Sequence, residues 1–149
     1  IRQMEEHRGE FALIVAGYSK EMDHFLDSNP GMRSRFDNML VFTDYSATDL
    51  VAIAQTQIAK AGLAIEADAM EHLSAYFRYH AENRNQYFGN GRFVRKVIEK
   101  AIRNQNLRLS QIPKEERSEE LVKMLTMQDV IEFRLDADLL VKRQIGFVK

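Results

Sequence analysis

Two arginines separated by one residue are the side chains of this chain best suited to contact a phosphate. Arg33 and Arg35 lie in the segment 29–36, directly after Pro30 and Gly31. Proline forces its predecessor out of the helical region and glycine allows a sharp change of direction, so the pair is predicted to follow a tight turn. The apolar run 39–42 predicts a strand, which would present both guanidinium groups at the rim of a sheet. Solvated surface charges are the alternative for this pair.

A second pair of arginines follows a glycine-rich turn. Gly89 and Gly91 release the backbone just before a predicted helix, and Arg92 and Arg95 project from one side of its first turn. The helix macrodipole disfavours positive charge at this end by a few tenths to about 1 kcal/mol, so helix stability does not account for them. The same helix end attracts anions. A glycine loop that only permits close packing, with solvated arginines, is the alternative.

The composition limits the possible classes of protein. The chain has 149 residues, of which 45% are hydrophobic and 29% are charged, enough for one ordinary core or two small ones. The net charge of -1 gives no general reason to expect nucleic acid or anionic lipid, and the absence of cysteine excludes disulfides and thiol chemistry. No apolar run approaches the roughly 20 residues of a membrane span. We therefore expect a globular cytoplasmic protein without a membrane partner.

The first 44 residues predict the remnant of an α/β sheet domain. The run 11–16 is apolar on both faces, which is typical of a strand buried inside a parallel sheet. A short helix before Pro30 is predicted to bury Met22, Phe25 and Leu26, and the run 39–42 predicts the second strand.

The chain from residue 45 to 133 predicts a helical bundle. Ser46 and Asp49 have capping-box spacing, and Gly62 ends that helix. Further helices are predicted after 63–65, from about 91 to 110, and from a cap at Thr126 with Asp129 through Phe133, whereas 111–123 predicts a loop with a partial turn. The predicted fold class is mainly α: a two-stranded sheet remnant in 1–44, a helical lid bundle in 45–133 and a tail in 134–149.

Four motifs in this order resemble the C-terminal part of AAA+ ATPases of the CbxX/CfqX type, a group that includes stage V sporulation protein K and the red-type rubisco activases. The resemblance covers about residues 1–133. The motifs are Val15-Ala16-Gly17-Tyr18, Asn29-Pro30-Gly31-Met32-Arg33-Ser34-Arg35-Phe36, the segment 42–45, and Gly89-Asn90-Gly91-Arg92-Phe93-Val94-Arg95 followed by Glu99-Lys100-Ala101-Ile102.

The resemblance implies a role for each candidate site residue. Arg35, with Arg33 beside it, resembles the arginine finger that reaches into the nucleotide site of the adjacent subunit. Arg92 resembles the sensor-2 arginine, which contacts the γ-phosphate from the lid of its own subunit, and Arg95 is the second candidate there. Tyr18 stands at the end of the strand where many AAA+ proteins place a sensor-1 asparagine. Two arginines in these roles would make hydrolysis depend on subunit assembly and on lid position.

The same resemblance implies ATP and Mg²⁺ as cofactors of the parent protein, a hexameric ring as its assembly, and a protein as its substrate. The sequence has no G-x-x-x-x-G-K-[ST] motif and no apolar strand ending in Asp-Glu. We therefore expect a fragment that is inactive alone and whose magnesium ligands lie elsewhere in the parent. Its two predicted strands would lack the strand between them, so we expect self-association or a non-native pairing of these strands.

Two other function classes stay open from the sequence. The range 84–108 holds seven basic residues and the single acid Glu99, with aromatic residues among them, a pattern also found in nucleic-acid-binding modules. A lid bundle that only docks on a protein partner is the third class. The four histidines show no metal-ligand spacing, so no metal site is predicted within this chain.

Overall fold

The computed structural model describes residues 6–7, 9–36, 38–85 and 87–135. It divides the chain into two compact units, Ile1–Thr43 and Asp44–Lys149, and each is described by itself. The described elements, in chain order, are α1 (Ser19–Asp27), a 3-10 turn (Arg33–Arg35), α2 (Ala47–Lys60), β1 (Ala64–Ile65), α3 (Ala67–Glu82), α4 (Gly91–Ser110), a 3-10 turn (Lys114–Glu116), α5 (Glu119–Lys123), β2 (Met124–Leu125) and α6 (Met127–Val130). The predicted class is confirmed, since the fold is mainly α with a helical bundle and two strands. Most of the predicted tail 134–149 lies outside the described residues.

The two strands do not lie where the sequence predicted them. The described residues of 11–16 and 39–42 form no strand, and Ile14 and Phe42 are 89% and 91% exposed. Strand hydrogen bonds must come from a neighbouring strand, and the described part of this unit supplies none. The non-native pairing of these two segments is therefore wrong, whereas self-association stays a prediction. The N-terminal unit retains α1, in which Leu26 is buried as predicted. The predicted burial of Phe25 is wrong, since its side chain is 41% exposed, and Met22 is only partly buried.

The C-terminal unit is a bundle whose core lies between α2, α3 and α4. Leu50, Leu73, Phe77 and Val94 are fully buried there. Removing a side chain of this size from water stabilises the fold by about 1.5–3 kcal/mol each. The strands β1 and β2 pair in parallel, with Ala64 opposite Met124 and Ile65 opposite Leu125, and Leu125 completes the core. This short ladder fastens the end of the bundle to the connection between α2 and α3.

The caps predicted for the bundle are confirmed. The Ser46 hydroxyl accepts a hydrogen bond from the Asp49 backbone N–H at 3.1 Å, and the Asp49 carboxylate accepts one from the Ser46 N–H at 2.9 Å. The Ser46 hydroxyl and the Ser46 backbone N–H both donate to the Asp49 carboxylate, and these two hydrogen bonds lower the pKa of Asp49. Thr126 and Asp129 form the second capping box, and Gly62 follows the end of α2 with φ +72°, a conformation that favours glycine.

Two predictions for the end of the bundle are wrong in extent. The range 111–123 holds a 3-10 turn, in agreement with the predicted partial turn, but it also holds the short helix α5, which Ser118 caps. The helix after Thr126 ends at Val130 rather than running to Phe133. The ring of Phe133 instead packs on Tyr76, with ring centroids 5.7 Å apart.

His80 on α3 lies among aromatic rings, and its burial lowers its pKa. Ring centroids of Tyr76 and Phe93 lie 4.4 and 4.9 Å from the His80 ring. A lowered pKa in the folded state means that the unfolded chain binds more protons below about pH 6.5, the ordinary value for histidine. The contribution of neutral His80 to the free energy of unfolding is therefore fully present above that pH and is lost as the pH falls below it.

We expect His80→Gln to reduce the loss of thermal stability that occurs between pH 7.5 and pH 5.5. The reason is that glutamine cannot take up the proton that favours the unfolded chain. The melting temperature at both pH values measures the effect, and His24→Gln, at an exposed position on α1, is the control. Equal pH dependence in His80→Gln and the wild-type chain would contradict this assignment.

No helix in the described ranges is long and apolar enough to cross a membrane.

Candidate functional site

The first arginine pair lies in a 3-10 turn directly after a glycine with a left-handed backbone. Gly31 has φ +84°, and its carbonyl accepts a hydrogen bond from Arg35 Nη1 at 2.7 Å. A Cβ at position 31 would lie 2.5 Å from the same nitrogen, so the end of the Arg35 side chain would have to move, and the positive φ itself favours glycine here. The tight turn predicted at Pro30-Gly31 is thus present. It sets the path of the Arg35 side chain.

Arg33 is held by two carboxylates of α1. Its Nε donates to Asp27 Oδ1 at 2.6 Å, and its Nη2 donates to Asp23 Oδ1 at 3.1 Å. These hydrogen bonds raise the pKa of Arg33, and the Arg33 hydrogen bond lowers the pKa of Asp27. The charge of Arg33 is therefore neutralised within its own unit. Arg33 and Arg35 share one turn but differ in their surroundings.

Tyr18 is the N-cap residue of α1, and its ring is exposed. Its carbonyl accepts the backbone N–H of Met22 at 2.8 Å, which begins the helix. The predicted strand that would have ended at this tyrosine is absent from the described residues.

The second arginine pair lies in the first turn of α4. Arg92 and Arg95 are both exposed, and within the part of the chain that the structure describes neither guanidinium forms a hydrogen bond or an ion pair. The first turn of α4 holds no acidic residue that would offset them. Two positive charges without partners at a helix N-terminus destabilise an isolated helix. An anion bound there would offset this unfavourable charge.

Arg95 also borders a groove of about 610 Å³ between α2 and α4. Apolar side chains line its floor and charged side chains its rim: Ile53, Ile98 and Ile102, then Asp49, Lys60, Arg95 and Glu99. Arg92 is not among the lining residues, so the two arginines have different surroundings.

The turn before α4 is built differently from the sequence prediction. Among the described residues, the single non-glycine residue with positive φ is Asn90, at φ 47° and ψ -123°, between the two glycines. Gly89 is needed for space, since a Cβ there would lie 3.3 Å from the Phe93 backbone nitrogen. The side chain of Asn90 reaches back to Asp44 and Tyr45, and Arg84 contacts the same two residues.

Sequence reasoning did not identify Asp44, Arg84 or Asn90. Arg84 and Asn90 lie 40 and 46 residues after Asp44 in the sequence, separations at which neither periodicity nor a local motif gives a signal. The asparagine between two glycines was the one available indication, because asparagine tolerates positive φ better than most residues.

The basic range 84–108 does not form one free surface for nucleic acid. Arg84 pairs with Asp44 at 3.4 Å, Lys100 with Glu132 at 3.5 Å, and Arg108 with Asp129 at 2.9 Å. Three of its seven basic side chains are therefore engaged within the chain. This weakens the nucleic-acid interpretation, because phosphate contacts require unpaired cations.

A metal centre is not formed by the described residues, which contain no group of three or more histidine, aspartate or glutamate side chains placed to hold an ion. Magnesium therefore does not fit the described part of the chain as a directly held cofactor. An anionic phosphate does fit the unpaired Arg92 and Arg95.

The fold, a helical bundle with unpaired arginines at the start of α4, is accompanied by a clear family match. The family model of the AAA lid domain matches residues 46–138. This chain belongs to the AAA lid domain family.

Individual relatives agree with that assignment. The chain is 46% identical over 110 residues to stage V sporulation protein K of Bacillus subtilis, an alignment that covers 73% of this chain and 34% of that protein. It is 36% identical over 110 residues to protein CfxQ of Xanthobacter flavus, covering 73% and 34%. It is 33% identical over 141 residues to the ESX-3 secretion system protein EccA3 of Mycolicibacterium smegmatis, covering 87% and 23%. The predicted resemblance to the CbxX/CfqX type is confirmed, and the chain spans about a third or less of these relatives.

Proposed function

We propose that this chain is the lid-containing part of an AAA+ ATPase that couples ATP hydrolysis in a ring to the remodelling of a protein substrate. Residues 1–44 belong to the nucleotide-binding domain in this proposal, 45–133 form the lid and 134–149 a tail. The observation that carries it is that the guanidinium groups of Arg92 and Arg95 have no partner among the described residues, at the start of a lid helix in a member of the AAA lid domain family.

Arg92 is the sensor-2 arginine in this proposal. It donates hydrogen bonds to the γ-phosphate of ATP held in the same subunit, and Arg95 is the second candidate for that contact. A planar guanidinium stays charged at all relevant pH values and matches the geometry of phosphate oxygens, so it can stabilise the charge that develops during phosphoryl transfer. ATP supplies the phosphoryl group, and another segment of the full-length protein supplies the phosphate-binding loop and the magnesium ligands.

Arg35 is the arginine finger, and it acts on the nucleotide of the adjacent subunit in a hexameric ring. The resemblance of the segment 29–36 to the finger motif supports Arg35 in this role, and the Arg35 guanidinium lies at the tight turn, where its Nη1 donates to the Gly31 carbonyl. Tyr18 occupies the sensor-1 position without a demonstrated phosphate contact.

We expect Arg92→Ala in the full-length protein to lower kcat for ATP hydrolysis by roughly 10²-fold, the usual cost of losing one positioned donor at a developing charge. Steady-state phosphate release measures kcat and KM. Lys96→Ala is the matched control, since Lys96 is an exposed cation one turn further along α4. Arg95→Ala should have a smaller effect than Arg92→Ala. Equal activities of Arg92→Ala and Lys96→Ala would contradict the proposed role.

A further inference from the structure

The side chain of Asn90 forms hydrogen bonds with residues at the start of the C-terminal unit. Its Oδ1 accepts a hydrogen bond from the backbone N–H of Tyr45 at 3.0 Å, and its Nδ2 donates to Oδ1 of Asp44. Both contacts join residues more than 40 positions apart in the sequence. They therefore fix tertiary structure and not a local turn.

Arg84 binds the same two residues from the other end of the connection between α3 and α4. Its Nη1 donates to the Tyr45 carbonyl at 3.0 Å, and its Nε lies 3.4 Å from Asp44 Oδ2. The backbone N–H and C=O of Tyr45 and both carboxylate oxygens of Asp44 are thus all engaged. We call these four residues, Asp44, Tyr45, Arg84 and Asn90, the Asp44 clasp.

The backbone conformation of Asn90 indicates that the hydrogen bonds of its side-chain amide are needed at this position. At φ 47° and ψ -123° a residue with a Cβ is strained, and glycine would adopt this conformation at lower cost. Glycine, however, has no amide group to bind Tyr45 and Asp44. A strained backbone conformation persists only where the surrounding contacts hold it in place, and residues in such conformations are common at functional sites.

The Asp44 clasp joins the start of the C-terminal unit to the N-terminus of α4, which carries the proposed sensor-2 arginine. Asn90 is the N-cap residue of α4, and Arg92 follows two residues later. Asp44 is the first residue of the C-terminal unit. The clasp therefore fastens the chain that enters the lid to the helix end that carries Arg92, and it restricts rotation of that helix end against α2.

We infer that Asn90 and Arg84 are positioning residues for Arg92, which hold its guanidinium in the orientation that phosphate contact requires. This inference rests on the proposed function of Arg92. Neither residue touches the nucleotide in this scheme. Catalytic donors lose much of their effect when displaced by about 1 Å, so opening the clasp lowers kcat without removing the arginine.

The first test uses Asn90→Ala in the full-length protein, with Asn83→Ala as the matched control. Asn83 lies in the same connection, but within the described part of the chain its side chain hydrogen-bonds only to the local Tyr79 carbonyl, at 2.7 Å. We expect Asn90→Ala to lower kcat roughly tenfold and Asn83→Ala to leave it near the wild-type value. Asn90→Gly, which relieves the backbone strain but also lacks the amide, should resemble Asn90→Ala. Full activity of Asn90→Ala or Asn90→Gly would overturn the inference.

The second test combines Asn90→Ala with Arg92→Ala. If Asn90 acts through Arg92, the double variant is no less active than Arg92→Ala alone, because the group to be positioned is already gone. A further tenfold loss in the double variant would show that Asn90 acts independently of Arg92 and would overturn the positioning role.

Hydrogen exchange separates the clasp from the proposed catalysis. The Tyr45 amide should exchange faster in Asn90→Ala than in the wild-type protein, and Asn83→Ala should not change it. Faster exchange with unchanged kcat would overturn the positioning role while leaving the clasp intact as a structural feature. A wild-type full-length protein that does not hydrolyse ATP would instead overturn the proposed function itself, and the inference with it.

Discussion

Replacing Arg35 with alanine is expected to lower kcat for ATP hydrolysis by roughly 10³- to 10⁵-fold in the full-length protein. This corresponds to about 4–7 kcal/mol of the activation barrier. The reason is that the proposed finger stabilises charge on the γ-phosphate oxygens mainly in the transition state. Steady-state phosphate release measures kcat. ATP binding, followed with a fluorescent nucleotide, should change far less than kcat.

Two controls distinguish Arg35 from its neighbour and from a general loss of charge. Arg33→Ala should lower kcat less than Arg35→Ala, because it removes the ion pairs with Asp23 and Asp27 of α1 and leaves the proposed finger in place. Arg78→Ala removes an exposed arginine from α3 and should be nearly silent. Arg35→Lys should restore little, since an ammonium cannot reproduce the planar fork of a guanidinium. A larger loss in Arg33→Ala than in Arg35→Ala would show that the finger is Arg33 and not Arg35.

Mixing variants tests whether the finger acts across a subunit boundary. A ring made of Arg35→Ala subunits lacks every finger, and a ring made of Arg92→Ala subunits lacks every sensor 2. In a mixed ring, an Arg35→Ala subunit next to an Arg92→Ala subunit has its own Arg92 and receives the intact Arg35 of its neighbour. Mixing should therefore restore part of the activity. A mixture that is no more active than its components would contradict a finger supplied in trans.

The helical bundle could be predicted from sequence because its signals are local. The pair Ser46 and Asp49, the glycine at position 62 and the start of α4 at Gly91 each mark a helix end within a few residues. Local hydrogen bonds and backbone freedom decide such positions, so a short stretch of sequence contains the whole signal.

The strands were misplaced because strand formation depends on partners distant in sequence. The apolar run 11–16 matches a buried strand by composition, yet Phe11 and Ile14 are 49% and 89% exposed, since no described segment pairs with the run. The real strands, Ala64–Ile65 and Met124–Leu125, are two residues long and carry no periodicity. A pattern of two residues is too short to be recognised.

The candidate site could be predicted from the sequence only in part, because its contacts also join residues distant in sequence. The sequence motifs identified the arginines at positions 33, 35, 92 and 95, but not their surroundings. That Arg33 is bound by α1 while Arg92 has no partner among the described residues depends on tertiary contacts. The contacts of Asn90 and Arg84 with Asp44 span 46 and 40 sequence positions, respectively, and only the folded bundle brings them together.

Asp129 makes an ion pair that no local sequence pattern indicates. Its two carboxylate oxygens each accept a hydrogen bond from Arg108, from Nε and from Nη2, at 2.9 Å. The Asp129 side chain is 1% exposed and that of Arg108 is 15% exposed. Arg108 Nη2 also donates to the Met124 carbonyl at 3.1 Å, so the pair joins α4 to β2 and to the start of α6. The hydrogen bonds of Asp129 raise the pKa of Arg108.

We expect Asp129→Ala to lower the free energy of unfolding of the C-terminal unit by about 3–5 kcal/mol, because it leaves the largely buried guanidinium of Arg108 without its counter-charge. Urea unfolding at pH 7 measures this. The matched control is Asp49→Ala, since Asp49 has the same capping-box role in α2 but is exposed and forms no ion pair with an arginine among the described residues. Asp49→Ala loses only the cap and should destabilise the chain less.

The double variant Arg108→Met with Asp129→Leu separates the cost of an unpaired charge from the value of the pair. Replacing both partners with apolar side chains of similar volume leaves no buried charge, and such replacements are often neutral or stabilising. The double variant should therefore be more stable than Asp129→Ala, although it also lacks the cap at Thr126. If Asp129→Ala is no less stable than Asp49→Ala, the ion pair contributes nothing beyond the cap, and α4 is held to the end of the bundle by its apolar contacts alone.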